Sequence, residues 1–375
     1  MIRGDLPPVG NTILTKASNV TPAFDGFDAF YVDSGTSALA LAIIAAKQLH
    51  PEISKPEVIV PAYCCPDLVS AAVYANTQVV VVDISPNDPA YDLEQLSQAI
   101  NSNTIAVIAV NFLGIKERLT QIKSLLPDHC HLIEDNAQSF EPLEQPEHLV
   151  GDMVITSFGR GKPVSLLGGG LCLVRESLNE QLNLKEFIAP ANKTKLLALK
   201  IKAYNYLIKP QLYPLISRNP LLSVGETHYK EKLTINALDK QRLQWLDSNV
   251  QAYKNQSTTA QQAINMILVE HKEAGLKKIV DYGDLRVGKL LRYPVLCKSV
   301  QQRDKLHFQL NYRGLGCSKL YKKGLLAISG LPIAKVNGKY PNSEIFSNRL
   351  LTLPCHSSVT NNHLESIQHV FRELS

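Results

Sequence analysis

Seven short apolar runs, separated by helical patterns, fill residues 30 to 175 and leave few folds open to this chain. The runs are FYVDS (30–34), EVIVP (57–61), VVVVD (79–83), IAVIAV (105–110), HLIED (131–135), MVITSF (153–158) and LCLV (171–174). They are rich in β-branched residues and almost continuously apolar, as strands covered on both faces must be. Between most of them stand helical patterns: TSALALAIIAAKQL (36–49), DLVSAAVYA (67–75), DLEQLSQAI (92–100) and KERLTQIKSLL (116–126). Strand and helix alternating this regularly predict an α/β fold, with a mainly parallel seven-stranded sheet and helices on both faces.

The chain has 375 residues, more than one ordinary core needs. We expect a large α/β domain over 1–240 and a smaller C-terminal α+β domain over 241–375. The second part opens near the polar helix LDKQRLQWLDSNVQAYK (238–254), holds a strand-like RYPVLC (292–297) and ends in NNHLESIQHVFREL (361–374). Residues 185–224 read as an insertion in the large domain. Its stretch KTKLLALKIKAYNYLIKPQLYPLI (193–216) is basic and apolar, with Tyr204, Tyr206 and Tyr213 among the lysines. That composition suits a membrane surface. Pro210 and Pro214 interrupt any long amphipathic helix, which favours packing over the site or against a partner subunit.

Composition excludes several classes. A net charge of +5 with 19% charged residues fits small anionic ligands better than nucleic acid. The seven cysteines include no CxxC pair and no metal-ligand spacing, so reduced, mostly buried thiols in a cytoplasmic protein are expected and no metal. The N-terminus has no apolar signal-like core, and no run is long and apolar enough to span a bilayer.

In a parallel sheet, ligands gather at the carboxyl ends of the strands, and four stretches fall there. DSGTSAL (33–39) ends a strand and turns through Gly35 into a helix, whose N-terminus suits an anion. An ordinary capped turn through Ser34 or Thr36 would read the same way. IEDNAQ (133–138) closes a strand with Glu134 and Asp135, either of which could cap a helix or face a ligand. SFGRGKPVSLLGGG (157–170) places Lys162 after a buried strand and before three glycines. A phosphate-binding P-loop would need glycine at 156 and Ser or Thr at 163, but Thr156 and Pro163 stand there. A single lysine is by default a solvated surface charge, but one in such a setting can become nucleophilic enough to condense with a carbonyl. The fourth stretch, VPAYCCPDL (60–68), brings Tyr63, Cys64 and Cys65 to another strand end, where packing is the simpler role for Cys64.

Taken in order, these pieces resemble the DegT/StrS-type pyridoxal-phosphate-dependent sugar aminotransferases, which have the aspartate aminotransferase-like fold. SGTSAL resembles the family's phosphate-binding helix start, LIEDNAQSF its Ile-Glu-Asp-x-x-Gln motif, and GDMVITSFGRGKPVSLLGGG its lysine segment. VIVPAYCCPDLVSAAVYANTQVVVVDI and NRLLTLPCHSSVTNNHLESI resemble two further family segments. The resemblance implies that Lys162 holds pyridoxal phosphate covalently and carries a proton during turnover. It implies that Asp135 pairs with the ring nitrogen and that Gln138 lies beside the ring. Gly35, Thr36, Ser37 and Ser157 match the phosphate-binding positions. It further implies an amino donor, by expectation glutamate, a nucleotide-linked keto sugar as acceptor, a role in surface-polysaccharide or secondary-metabolite biosynthesis, and a homodimer with sites at the subunit interface.

The departures lie around the substrate. Cys65 stands where the family has an aromatic residue stacked on the ring, so either Cys65 or a neighbouring side chain must cover it. Gly168 replaces a glutamate. The segment that reaches in from a partner subunit aligns loosely with THYKEK, with His228 and Lys230 at the positions that matter. Two other readings are a different pyridoxal-phosphate reaction on this scaffold and a non-catalytic regulatory member. The family's sugar dehydratases carry histidine at the lysine position, so Lys162 opposes them. Lys162, Asp135 and Gln138 together oppose a member without activity.

Overall fold

The computed structural model describes residues 4–192, 194–217, 229, 233–279, 286–322, 324–333 and 339–374. Its strands are β1 (Phe27–Val32), β2 (Glu57–Pro61), β3 (Gln78–Val82), β4 (Thr104–Val110), β5 (His131–Asp135), β6 (Met153–Ser157), β7 (Gly170–Arg175), β8 (Lys277–Lys278), β9 (Tyr293–Leu296) and β10 (Leu350–Leu353). Its α-helices begin with α1 (Gly35–Leu49), α2 (Asp67–Tyr74), α3 (Leu93–Ala99), α4 (Leu119–Leu125), α5 (Glu176–Asn179), α6 (Leu197–Leu207) and α7 (Pro214–Ser217). They continue with α8 (Lys240–Lys254), α9 (Thr259–Glu270), α10 (Val300–Tyr312), α11 (Pro341–Arg349) and α12 (Asn361–Arg372).

All seven runs form one sheet, in the order β1-β7-β6-β5-β4-β2-β3. β2 to β6 pair in parallel, and β7 runs antiparallel to both β1 and β6. β2, β5 and β6 are buried at every position, because helices cover both faces. α1 is buried from Ser37 to Ala46. Its alanines at 38, 40, 42, 45 and 46 let it lie close against the sheet. That packing, rather than helix propensity, holds it there.

A second, three-stranded sheet (β10-β9-β8) carries its own core, in which Leu306, Leu310, Leu351 and Phe371 pack together with Leu6 from the N-terminal segment. Tyr63, Ile84 and Phe112 of the large sheet's loops meet Leu296, Phe346 and Leu350 between the two sheets. The helix α8 does not join the smaller core with which its sequence position groups it. Trp245, Leu246, Val250 and Tyr253 pack with Phe158, Leu171 and Leu173 of the large sheet. In the insertion, α6 stops at Leu207 and α7 starts on Pro214, a helix-start position that suits proline's fixed φ and missing N–H.

One half-buried ion pair outside the site should contribute to acid stability. Asp152, just before β6, accepts hydrogen bonds from Leu132 N (2.8 Å) and from Lys123 Nζ, and lies 3.7 Å from His131 Nδ1. Burial by itself would raise this carboxyl's pKa, but the hydrogen bonds outweigh it and lower it to about 2. A depressed carboxylate contributes stability above its ordinary pKa and loses it as pH falls through the folded value. Asp152→Asn should therefore cost about 2 kcal/mol at pH 7. In urea titrations, the gap to wild type should close as the pH approaches 2. A gap that is unchanged at acid pH would show that the charge is not the source of the stability.

Candidate active site

The loop between β6 and β7 turns tightly and carries Lys162. Lys162 N donates to Gly159 O (3.3 Å), and both Leu166 N (2.8 Å) and Gly168 N (3.1 Å) return to Phe158 O. Phe158, Val164 and Leu166 are buried and pin the loop to the core. Gly168 and Gly169 have φ of +146° and +108°, values that a side chain resists. A side chain at 168 would also meet the Arg242 guanidinium at 3.3 Å. Arg242 occupies that space, donating to Leu166 O (3.0 Å), Leu167 O (3.3 Å) and Thr194 Oγ1 (3.1 Å) and pairing with Asp239. The glycine that replaces the family's glutamate thus makes room for an arginine that ties the lysine loop to α8. Lys162 itself is partly exposed, and its Nζ has no hydrogen-bond partner among the described residues.

The two carboxylates of IEDNAQ separate cleanly. Glu134 is committed to structure: it accepts from Asn136 Nδ2 (2.9 Å), Val150 N (3.2 Å) and Gly151 N (3.3 Å). Asp135, at the end of β5, is 3% exposed, and its Oδ1 accepts from Ala137 N (2.8 Å). Burial pushes its carboxyl pKa up, nearby Lys162 pulls it back, and Asp67 adds to the rise. A buried carboxylate with spare acceptor capacity, in reach of a lysine, is a pairing site for a cationic group.

The phosphate-binding positions meet where β6 and α1 abut. A Cβ on Gly35 would lie 2.6 Å from Ser157 Cβ, so only glycine lets the first turn of α1 come so close to Ser157. Ser157 Oγ accepts from Gly159 N (3.3 Å). The Thr36 hydroxyl has no hydrogen-bond partner among the described residues. Ser37 differs from the expectation: it is fully buried, its hydroxyl donates to Asp33 Oδ1 (2.6 Å), and its N–H is capped by Ser34 Oγ (3.0 Å). Ser37 therefore shapes the helix start from within. The first turn of α1 and Ser157 lie together, and the end of a helix with unpaired amides and hydroxyls beside it is an arrangement able to hold an anion.

Three residues that sequence reasoning missed complete the site. Tyr321, held at φ +44°, accepts a hydrogen bond from Gln138 Nε2 (3.0 Å). Its ring lies 5.7 Å from Tyr63 and 6.5 Å from Phe112. It stands beside Cys65, which also neighbours Asp67 and Lys162. Burial, then Asp67, push the Cys65 thiol up to about 12 against the pull of Lys162, so Cys65 is a neutral wall and not a nucleophile. Arg292, the residue before β9, donates to Ser318 Oγ (2.8 Å), while its Nε is buried without a partner. Tyr321 and Tyr213 are its neighbours, and Tyr213 also lies near Arg160 of the lysine loop. The insertion thus comes near the site at Tyr213. Asp67 lies within VPAYCCPDL, where nothing sets it apart, and no motif marks Tyr321 or Arg292, which only folding brings to Cys65 and to each other. The expected His228 and Lys230 lie outside the described residues.

The architecture matches known structures closely enough to fix the fold. An aminotransferase of the DegT DnrJ EryC1 StrS type from Brucella abortus is 20% identical, with 93% of this chain and 86% of that one covered, at a TM-score of 0.64. A candidate sugar aminotransferase from Streptococcus pneumoniae, in its PLP form, is 17% identical over 92% of this chain and 86% of that one, at 0.63. The sugar aminotransferase CalS13 from Micromonospora echinospora is 16% identical over 92% and 87%, at 0.66. A search of curated proteins finds no match to the chain. The fold is that of the fold-type I enzymes, and pyridoxal phosphate is the family's cofactor. The residues present fit that group. A cationic ring nitrogen would satisfy Asp135, a phosphate would suit the start of α1, and Gln138 Oε1, buried here with no partner, is a spare acceptor for a polar group. With that fit in place, the match of residues 27–372 to the family model identifies the chain as a member of the DegT/DnrJ/EryC1/StrS aminotransferase family.

Proposed function

We propose that this aminotransferase moves an amino group from an amino acid, glutamate by preference, onto a keto sugar carried on a nucleotide. It would act by a ping-pong reaction, as a cytoplasmic homodimer, in the making of a surface polysaccharide or secondary metabolite. The partner subunit would complete each site. The observation that carries the reading is the convergence of Lys162 and buried Asp135 beside the N-terminus of α1. The sugar-aminotransferase names of similar structures support the acceptor class.

Pyridoxal phosphate, when bound, supplies an electron sink for the pair left on the donor's α-carbon. Asp135 keeps the ring nitrogen protonated. Ser157 and the first turn of α1 hold the phosphate. Lys162 Nζ takes the α-proton and delivers it again. Tyr321 orients Gln138, and Arg292 Nε receives an anionic group of the substrate, such as the donor's carboxylate.

Two half-reactions test this. Glutamate should bleach the visible absorbance of the protein loaded with pyridoxal phosphate, and a panel of keto compounds should then be screened for its recovery. Recovery by nucleotide-linked keto sugars is expected, and recovery by keto acids alone would overturn the acceptor assignment. Arg292→Gln should raise KM for glutamate by about 10- to 100-fold with the loaded spectrum unchanged. An unaltered KM would remove Arg292 from the site.

A further inference from the structure

The insertion has two faces, and the site accounts for only one. Leu197, Ile201 and Ile208 are buried, and Tyr204 is partly so, against the protein. On the opposite side Leu199 and Tyr206, seven residues apart, are 59% and 58% exposed; Leu196, just before α6, is 70% exposed and Leu215, on α7, 61%. Lys195, Lys202 and Lys209 repeat at the same seven-residue spacing, and Lys200 adjoins them; all four are exposed. The Lys209 ammonium sits 5.3 Å from the centre of the Tyr206 ring. The sequence has no Asp or Glu between Glu186 and Glu226. Scattered exposed leucines need no explanation, but an apolar stripe threaded with lysines and free of acids is a different surface.

We propose that this face docks the protein on an anionic membrane surface. The lysines would pair with lipid phosphates, while Leu196, Leu199, Tyr206 and Leu215 settle at the headgroup boundary. Lysine stems bury along apolar surface and keep their charge in the headgroups, and tyrosine favours that same interface. Clustered lysines are drawn to anionic leaflets. No helix among the described residues is long and apolar enough to cross a membrane, so the contact is peripheral. A second copy is the poorer occupant. A two-fold contact centred on this face would set its lysines against their own copies, with no acid in the segment to neutralise them. Because Tyr213 joins the same insertion to Arg160 and Arg292, docking would hold the site's entrance near the membrane.

The test is flotation of the full chain with phosphatidylcholine vesicles, with and without phosphatidylglycerol. Binding is expected only with phosphatidylglycerol. It should fall at least about tenfold when salt shortens the screening length from low to high ionic strength. The triple variant Lys195→Glu, Lys202→Glu, Lys209→Glu should not float. Leu199→Gln with Tyr206→Gln should weaken flotation at any salt. These positions are exposed, and unchanged pyridoxal-phosphate loading confirms that the variants fold. Three outcomes would each overturn the proposal: no flotation of wild type at low salt, equal flotation of the triple variant, or a fall in that variant's solution mass, which would assign the face to a second copy.

Discussion

Lys162→Ala is expected to leave a folded protein whose turnover has fallen at least about 10⁴-fold, since on the proposed reading the change removes both a covalent anchor and a proton carrier. The fold should survive because the side chain contributes little to it. Lys162 is partly exposed, its Nζ has no hydrogen-bond partner among the described residues, and the turn is held by backbone bonds from Lys162, Leu166 and Gly168. The loop's anchors are Phe158, Val164 and Leu166, which alanine at 162 does not touch. The decisive readout is chemical. Borohydride reduction of the protein loaded with pyridoxal phosphate should fix one label, and peptide mapping should find it on Lys162. In the alanine variant no lysine should carry it. A label of equal yield on another lysine would refute the assignment, whatever the loss of activity.

The sheet was legible because burial on both faces leaves a strand little choice of residue. All seven apolar runs became strands, and their edges moved by only a few residues. The helix α8 shows the complementary limit. Its polar surface reads clearly, but Trp245, Leu246, Val250 and Tyr253 do not say which core they enter. In the site, Asp135 and Ser157 stand out in the sequence because they end strands and Gly35 because it opens a helix, where position along the chain fixes position in space, whereas Lys162 stands out only by following β6 in a glycine-rich loop. Gly168 was open in the sequence and is explained by Arg242, more than seventy residues away. Tyr321 and Arg292 come from the small-sheet region, and nothing local in KLYKK or LRYPV marks them. The sequence raised the question of what lies beside Cys65, and the fold answers it with Tyr321.

Asp135→Asn should separate activity from stability in opposite directions. With the amide in place, turnover should fall by about 10²- to 10³-fold, because a neutral partner cannot hold the ring nitrogen protonated as the charge develops. Without cofactor, the same change should leave Tm unchanged or higher at pH 7. The reason is the sign of the shift. Burial raises the Asp135 carboxyl, Lys162 offsets part of that, and Asp67 adds to it. A carboxyl raised on folding binds its proton more tightly in the folded state, so wild-type stability falls as pH climbs from the ordinary carboxylate range to the raised value. Above that value the whole cost of the buried charge remains. Asparagine carries no such cost, and its Oδ1 can still accept from Ala137 N. The advantage of the variant should therefore shrink as pH drops below the ordinary carboxylate range, and melting curves of both apo proteins across pH would show it. A variant that melts lower at pH 7 and is also inactive would mark Asp135 as a structural carboxylate. A variant that melts at least as high and turns over poorly is what a residue kept for its charge toward a bound ligand must give.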